Sequence, residues 1–397
     1  MTHRPQKLPY RSLYVHVPFC VGGKCDYCAF ASRGGCSSEE CSAYLAALVE
    51  EFRRHSGRCA PLRSVFIGGG TPSSLPARAL SHLLKSIRDS FELQDDCEWS
   101  CEANPDSLTS EKLSVMIEGG VNRISLGVQT FSPRFRQSIG RRGSLERLPG
   151  IISEARALGL RRLNLDMIYA LPGQSVDDWR GDLESALGFA PDHLSCYSLI
   201  LEEGTPLARR LADFREDEEL FLECWRLNDE LLERHGLRRY EISNFAREGA
   251  RCRHNFEVWH GQTYLGCGPA AVSFDGEIRQ ANPSTLEEWL SGTPPEADVL
   301  PPYARAREVL AFGMRTVDGW GWQELADATG LSRQDVEAIP GLEELASGGW
   351  SHRMATASGQ PQGDSSSTTR SFPRFLHRGV HAPISFPPSC KGAWSAL

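Results

Sequence analysis

Cys20, Cys25 and Cys28 stand together in one short stretch, YVHVPFCVGGKCDYCAF at residues 14–30, directly after a strand-like run. Thiolates at such spacing can wrap one iron-sulfur cluster, each holding a different iron, and a fourth iron without a protein ligand stays open to a small molecule. That open iron is where chemistry would start. Cys25-x-x-Cys28 taken alone also fits zinc. A structural zinc site needs four ligands, however, and no second CxxC or His-x-His partner stands at suitable spacing. The spacing therefore favours a cluster.

Such a loop needs a scaffold. From residue 12 onward, short β-rich runs alternate with helical patterns, the signature of a parallel sheet or barrel. Strands are expected at residues 12–17, 64–67, 98–103, 123–128, 162–168 and 193–200, and helices at 41–55, 77–91, 110–117 and 176–189. In the first helix Tyr44, Leu45, Leu48 and Phe52 recur at helical spacing. The second strand ends in Gly68-Gly69-Gly70-Thr71-Pro72, where backbone amides can approach a ligand that side chains would exclude. Asp166 sits inside the apolar run LNLDMI, where a charge needs a partner, and a bound ligand is one candidate. The cysteine loop, the glycine triplet, Glu102, Gln129 and Asp166 all come from or near the C-terminal ends of five successive strands, where barrels build active sites. The fold class expected is α/β: an incomplete (β/α)6 barrel followed by a partial helical C-terminal domain.

Composition narrows the function. The chain has 397 residues, 40% of them apolar, enough for a barrel and a smaller domain. A net charge of −8 argues against a nucleic-acid partner, which demands a basic surface. Thirteen scattered cysteines do not form a secreted disulfide framework, and MTHRPQKLPYR contains no signal-peptide core, so a cytoplasmic location is expected. No run approaches the ~18 apolar residues of a membrane span.

The motifs as a set resemble a family. Tyr-x-His-x-Pro-Phe-Cys, Cys-x-Tyr-Cys-x-Phe, GGGTP and NLDMIYALPGQ look like the radical S-adenosylmethionine (radical SAM) superfamily, in its coproporphyrinogen III oxidase-like branch, and most resemble the heme chaperone HemW group. The usual spacing there is CxxxCxxC; here Val21, Gly22, Gly23 and Lys24 lengthen the first gap by one residue, a bulge that two glycines can absorb through positive φ. The resemblance implies a 4Fe-4S cluster on Cys20, Cys25 and Cys28, and S-adenosylmethionine held with its amino-acid end at Gly69, Gly70 and Thr71. Glu102, Gln129, Arg141 and Asp166 would contact its ribose, adenine or carboxylate, with Tyr14, Tyr27 and Ile168 nearby. The chemistry so implied is reductive cleavage of the cofactor.

After the barrel, residues 214–234 read as an amphipathic helix with an acidic start. The blocks YEISNFA and RHNFEVW at 240–246 and 253–259 are similar to family blocks, the second of which carries its candidate heme-binding histidine, here His254. The tyrosine usual in that block is Val258, Val272 replaces a usual histidine, and Cys267 is a further soft ligand candidate. The domain divisions expected are 1–235 for the barrel, 236–300 for a post-barrel segment, 301–350 for the partial helical domain, with helices at 304–314 and 323–329, and 351–397 for a disordered or atypical tail.

Two functions fit the resemblance. One is a heme chaperone that passes heme to an apo-hemoprotein; the other is an oxygen-independent coproporphyrinogen III dehydrogenase. The dehydrogenases bring a fourth cysteine where this chain has Phe30, and an N-terminal arm longer than the thirteen residues before Tyr14, so the chaperone is favoured. Its implied partners are heme or porphyrin, an apo-hemoprotein acceptor, and a reduced flavodoxin or ferredoxin-type electron donor.

Overall fold

The computed structural model describes residues 8–338. Strands β1 (Tyr10–Val17), β2 (Cys59–Gly69), β3 (Leu93–Ala103), β4 (Arg123–Gln129), β5 (Arg162–Tyr169) and β6 (His193–Ser198) pair in parallel in chain order. The outermost strands of the sheet do not pair with each other, so the barrel is incomplete, as expected.

Period-2 alternation along each strand divides the two faces. Leu13, Val15 and Val17, then Val65 and Ile67, then Ile124, Leu126 and Val128, then Leu163, Leu165 and Met167 are fully or almost fully buried in one core with the helices. Between the strands lie α1 (Ser38–His55), α2 (Ala77–Ser90), α3 (Ser110–Glu118), α4 (Pro133–Ser138), α5 (Leu148–Ala157) and α6 (Val176–Leu187). The other strand face carries Ser12, His16, Glu98, Ser100, Glu102, Arg123, Asn164, Asp166 and His193. A parallel sheet usually buries apolar residues on both faces. One polar face thus means that this lumen holds polar groups or ligands.

Local chemistry sets the helix bounds. Ser37 and Glu40 form a reciprocal capping box that starts α1, a device worth about 1 kcal/mol, with Arg53, Arg54 and His55 closing the last turn against the helix dipole. Strands β2 and β3 begin earlier than periodicity suggests. Their first halves are joined through Leu62 and Leu93 across a register shift, and Glu92, Gln94, Asp95 and Asp96 give that end no apolar alternation. Helices α4 and α5 are likewise not announced by periodicity; each begins with Pro at its first turn, and α4 has six residues. The acidic helix starts later than expected, as α7 (Glu218–Arg234), because Asp217 accepts from the Leu220 N–H and caps it.

The chain after the barrel returns to it twice. Strand β7 (Asn244–Ala246) adds antiparallel to β6, and β8 (Tyr264–Cys267) adds in parallel to β1. Strands β9 (Val272–Phe274), β10 (Arg279–Ala281) and β11 (Glu296–Asp298) then extend the sheet. Between β7 and β8, the short helix α8 (Arg253–Trp259) sits across the N-terminal end of the lumen. Glu98, 2% exposed, anchors it: the carboxylate accepts from Arg123 at 3.2 Å, Arg162 at 3.0 Å and the Arg253 N–H at 2.8 Å. Ser12 donates to Glu257, and Arg123 donates to the Ala250 carbonyl. The expected C-terminal helices are α9 (Pro302–Gly313), held to the sheet by the buried pair of Glu308 with Arg279, and α10 (Trp322–Thr329), whose Glu324 bonds His260 of the post-barrel chain. The expectations for 339–350 and for the tail at 351–397 lie outside the described residues.

Candidate functional site

The cysteine loop leaves the C-terminal end of β1 and is tied down on every side. Phe19 and Cys20 pair with Arg33 and Gly34, and the Gly35 N–H donates to the Cys20 carbonyl at 2.9 Å. The longer first gap is absorbed as expected: Gly22 has φ +72° and Gly23 φ +103°, a region that side chains rarely adopt. Lys24 Nζ donates to the Phe30 carbonyl at 2.6 Å, and Arg142 donates to the Gly22 carbonyl at 2.9 Å. Cys20, Cys25 and Cys28 are partly exposed and unpaired, and the Arg141 guanidinium donates to Cys25 Sγ at 3.4 Å. Burial first, then the neighbouring Cys20 and Cys25, pushes the Cys28 thiol up to about 11 against the opposing Phe30 amide and Lys24. Among the described residues, no three His, Cys, Asp or Glu side chains converge closely enough for one metal ion. A cluster, held at separate irons, does not require that convergence.

Below the loop, two carboxylates face the lumen. Glu102 accepts from the Gly69 N–H at 3.1 Å; burial, then the charge of Asp166, pushes its pKa up to about 8. Burial also raises Asp166, although its oxygens accept from Ser125 Oγ at 2.6 Å and Asn164 Nδ2 at 2.7 Å. Asn164 passes the network on to His193 Nδ1 at 2.7 Å, whose Nε2 meets the Tyr240 hydroxyl at 2.8 Å. Burial, then the charges of Arg123 and Arg162, pushes the His193 imidazole well below its usual range. The partner that Asp166 requires is therefore partly internal.

Gln129 stands in left-handed backbone, φ +71°, at the bulge that ends β4. Gly127 lets two groups meet there: a Cβ on it would lie 2.9 Å from Arg141 Nη2 and 3.1 Å from Gln129 Nε2. Arg141 Nη2 donates to the Gly127 carbonyl, while its buried Nε has no partner. Tyr27 and Ile168 share an apolar group with Phe135 and Ile139 beside the loop. Burial raises the Tyr27 phenol well above its usual range. Tyr14 lies on the lumen side of β1, with its hydroxyl 3.0 Å from His16 Nδ1. Burial, then Glu102, raises its phenol.

The glycine triplet differs from its expectation in one respect. The N–H groups of Gly69, Gly70 and Thr71 donate to Glu102, to the Val17 carbonyl and to the Phe19 carbonyl, so the amides are spent within the protein. The glycines are required by close packing: a Cβ on Gly69 would lie 2.6 Å from the His16 ring, and one on Gly70 2.6 Å from the Phe19 carbonyl. His16 belongs to the Tyr-x-His-x-Pro-Phe-Cys motif, which by itself assigned it no role. Its ring bridges Tyr14 and the Ala31 carbonyl, the latter at 2.8 Å, joining strand to cluster loop. Alternation with Tyr14 was the available signal, as it was for Ser125 and Asn164.

His254 and Cys267 are placed apart from this end. His254, 2% exposed, has Nδ1 3.0 Å from Ser64 Oγ and its ring 5.3 Å from that of Phe66; burial pushes it down to about 4. Its Nε2 has no hydrogen-bond partner among the described residues. Cys267, on the opposite face of β8, is buried in the core between sheet and helices and offers nothing to the lumen.

Known proteins share the family and the fold. The radical SAM superfamily model matches residues 14–186. The chain is 38% identical over 293 residues to the heme chaperone HemW of Mycobacterium tuberculosis, covering 70% of this chain and 74% of that one. It is 32% identical over 363 residues to the heme chaperone HemW of Bacillus subtilis, covering 87% and 94%. Among solved structures, the coproporphyrinogen III oxidase HemN of Escherichia coli, a radical SAM enzyme, shares the fold with a TM-score of 0.75 over 87% of this chain and 85% of that one, at 23% identity. With identity above 30% across most of the length of its relatives, and a cysteine loop set over a polar half-open barrel, the chain belongs to the heme chaperone HemW group of the radical SAM superfamily.

Proposed function

We propose that this chain is a heme chaperone that holds a 4Fe-4S cluster on Cys20, Cys25 and Cys28, binds S-adenosylmethionine beneath it, and passes heme to an apo-hemoprotein in the cytoplasm. The observation that carries the reading is the convergence, at one end of the barrel, of three free thiols with Arg141, Glu102 and Asp166. The residues fit the cofactor chemically. Glu102 is a buried acid without a cation, suited to an ammonium; the unpartnered Arg141 Nε suits a carboxylate; Asp166 suits ribose hydroxyls. Tyr14, Tyr27 and Ile168 would line the apolar walls, and Gln129 would read a polar edge. Since the triplet amides are occupied, Gly69, Gly70 and Thr71 would meet the amino-acid end through carbonyl and hydroxyl oxygens. Bound together, cluster and cofactor supply one-electron reducing chemistry. The protein's part is to orient them and keep water from them.

For heme, His254 has the arrangement of a ligand imidazole: one nitrogen fixed by Ser64, the other without a partner. The test is anaerobic reconstitution followed by heme titration, transfer to an apo-hemoprotein, and a separate assay for coproporphyrinogen III turnover. Stoichiometric heme uptake with transfer and no turnover is expected, with uptake reduced in His254→Ala. Turnover with a biological reductant, or no heme uptake, would replace this reading with the dehydrogenase.

A further inference from the structure

Asp166 is one end of a hydrogen-bonded chain that crosses the lumen and stops at the start of α8. Asn164 pairs with His193, and Asp166 with Ser195, on adjoining strands β5 and β6. Asn164 and His193 are buried, where polar groups cost free energy unless they are bonded. Asn164 Nδ2 donates to Asp166 Oδ1 at 2.7 Å and to Ser125 Oγ at 2.7 Å, and Ser125 Oγ donates to Asp166 Oδ2 at 2.6 Å. On its other side the Asn164 amide oxygen meets His193 Nδ1 at 2.7 Å, and His193 Nε2 meets the Tyr240 hydroxyl at 2.8 Å. The Tyr240 oxygen accepts from the N–H of Cys252, the N-cap residue of α8, at 3.3 Å. The chemistry of the groups gives this chain one direction. An amide oxygen only accepts, so His193 Nδ1 carries the proton. With the imidazole pushed well below its usual range by burial and by Arg123 and Arg162, Nε2 carries none and accepts from the Tyr240 O–H. Turning the Asn164 amide over would set its oxygen against the Asp166 carboxylate and its NH2 group against the His193 N–H, two repulsive contacts.

We propose that Asn164 and His193 are positioning residues that hold the Asp166 carboxylate for the two neighbouring hydroxyls of a ribose, with the Tyr240 hydroxyl fixing the direction of the chain. The inference rests on the reading of Asp166 as the ribose contact. Ser125 and Asn164 each take an acceptor site on a different carboxylate oxygen. The plane of the carboxylate is thereby held, and each oxygen keeps further acceptor capacity toward the lumen. Two vicinal hydroxyls match two such oxygens, whereas a single hydroxyl matches one. Simple packing of this wall would be served by apolar side chains without the cost of burying an imidazole and an amide. Because each donor in the chain is polarised by the one behind it, loss of a distant hydroxyl is felt at Asp166.

The experiment is anaerobic calorimetry on cluster-loaded protein with two probes, S-adenosylmethionine and its 2′-deoxyribose analogue. Unmodified protein should prefer the ribose form by about tenfold, and Asp166→Ala should erase that preference. Tyr240→Phe keeps the ring that meets those of His193 and Trp259 and removes only the hydroxyl. It should cut the preference about threefold while affinity for the deoxy analogue stays the same, and Asn164→Ala should remove most of the preference. General damage to the fold would weaken both probes alike and leave their ratio unchanged. Should Asn164→Ala fail to fold, Tyr240→Phe decides alone. An unchanged ratio in Tyr240→Phe, with the ratio lost in Asp166→Ala, overturns the positioning role and leaves the ribose contact standing. A ratio kept in Asp166→Ala, or absent from the unmodified protein, overturns the ribose contact and the positioning role with it.

Discussion

Glu102→Gln should make the ligand-free protein more stable in mild alkali, an unusual result for a candidate binding residue. Burial and Asp166 raise the Glu102 pKa from 4.5 to about 8. Between those values the folded protein keeps a proton that the unfolded chain releases, so stability falls as pH rises through this window and the loss is complete above about 8. A one-unit shift corresponds to about 1.4 kcal/mol, and allowing for water in the half-open lumen the penalty at pH ~8.5 is of the order of 3 kcal/mol. Glutamine carries no charge and keeps an oxygen to accept from the Gly69 N–H, which now stands 3.1 Å from the carboxylate. Removing the negative charge also eases ionisation of Asp166, an effect of the same sign. Thermal or urea unfolding of apoprotein and variant at several pH values measures the difference. The variant should gain about 5 °C at pH ~8.5 and nothing near pH ~5. Parallel curves for the two proteins across the window would refute the argument that an unpaired buried carboxylate stores this penalty.

Replacing Cys20, Cys25 and Cys28 with Ala should abolish iron-sulfur absorbance in reconstituted protein, while replacing Cys41 and Cys59 should leave it; iron retained in the triple variant would remove the basis of the proposed function. Asp166→Ala should weaken S-adenosylmethionine binding in calorimetry more than it weakens folding, and unchanged affinity would make Asp166 purely structural. Gly69→Ala should cost about 2–4 kcal/mol in urea unfolding, since φ is +103° and the new Cβ would lie 2.6 Å from a His16 ring held on both nitrogens. Glu98→Ala should cost about 3–5 kcal/mol by stranding Arg123 in the barrel floor; a loss below ~1 kcal/mol would mean that water reaches that ion pair.

The order and type of the barrel elements were legible because strand and helix periods differ and each apolar stripe faces one core. Leu13, Val15 and Val17 needed no partner sequence to mark a buried face. The ends of strands were less legible. At the start of β3, Gln94, Asp95 and Asp96 carry polar side chains and only the Leu62–Leu93 pair across a bulge joins that end to β2, a pairing absent from any local pattern. The post-barrel strands escaped notice for the same reason: three- and four-residue runs become strands because an existing edge supplies their hydrogen bonds.

By itself, the sequence determined which residue types are available for chemistry: three thiols in a loop that two glycines can bend, and acids placed at strand ends. These are properties of spacing, and spacing is local. The tertiary structure decided what each group faces. It turned the triplet amides inward, set Glu102 and Asp166 in one low-dielectric lumen where burial and the charge of Asp166 raise the proton affinity of Glu102, and buried His254 of α8 against Ser64 and Phe66 with one nitrogen unpartnered. Solvation and long-range charge depend on neighbours more than a hundred residues away, as between Glu98 and Arg253 or Cys25 and Arg141, and no local pattern encodes them.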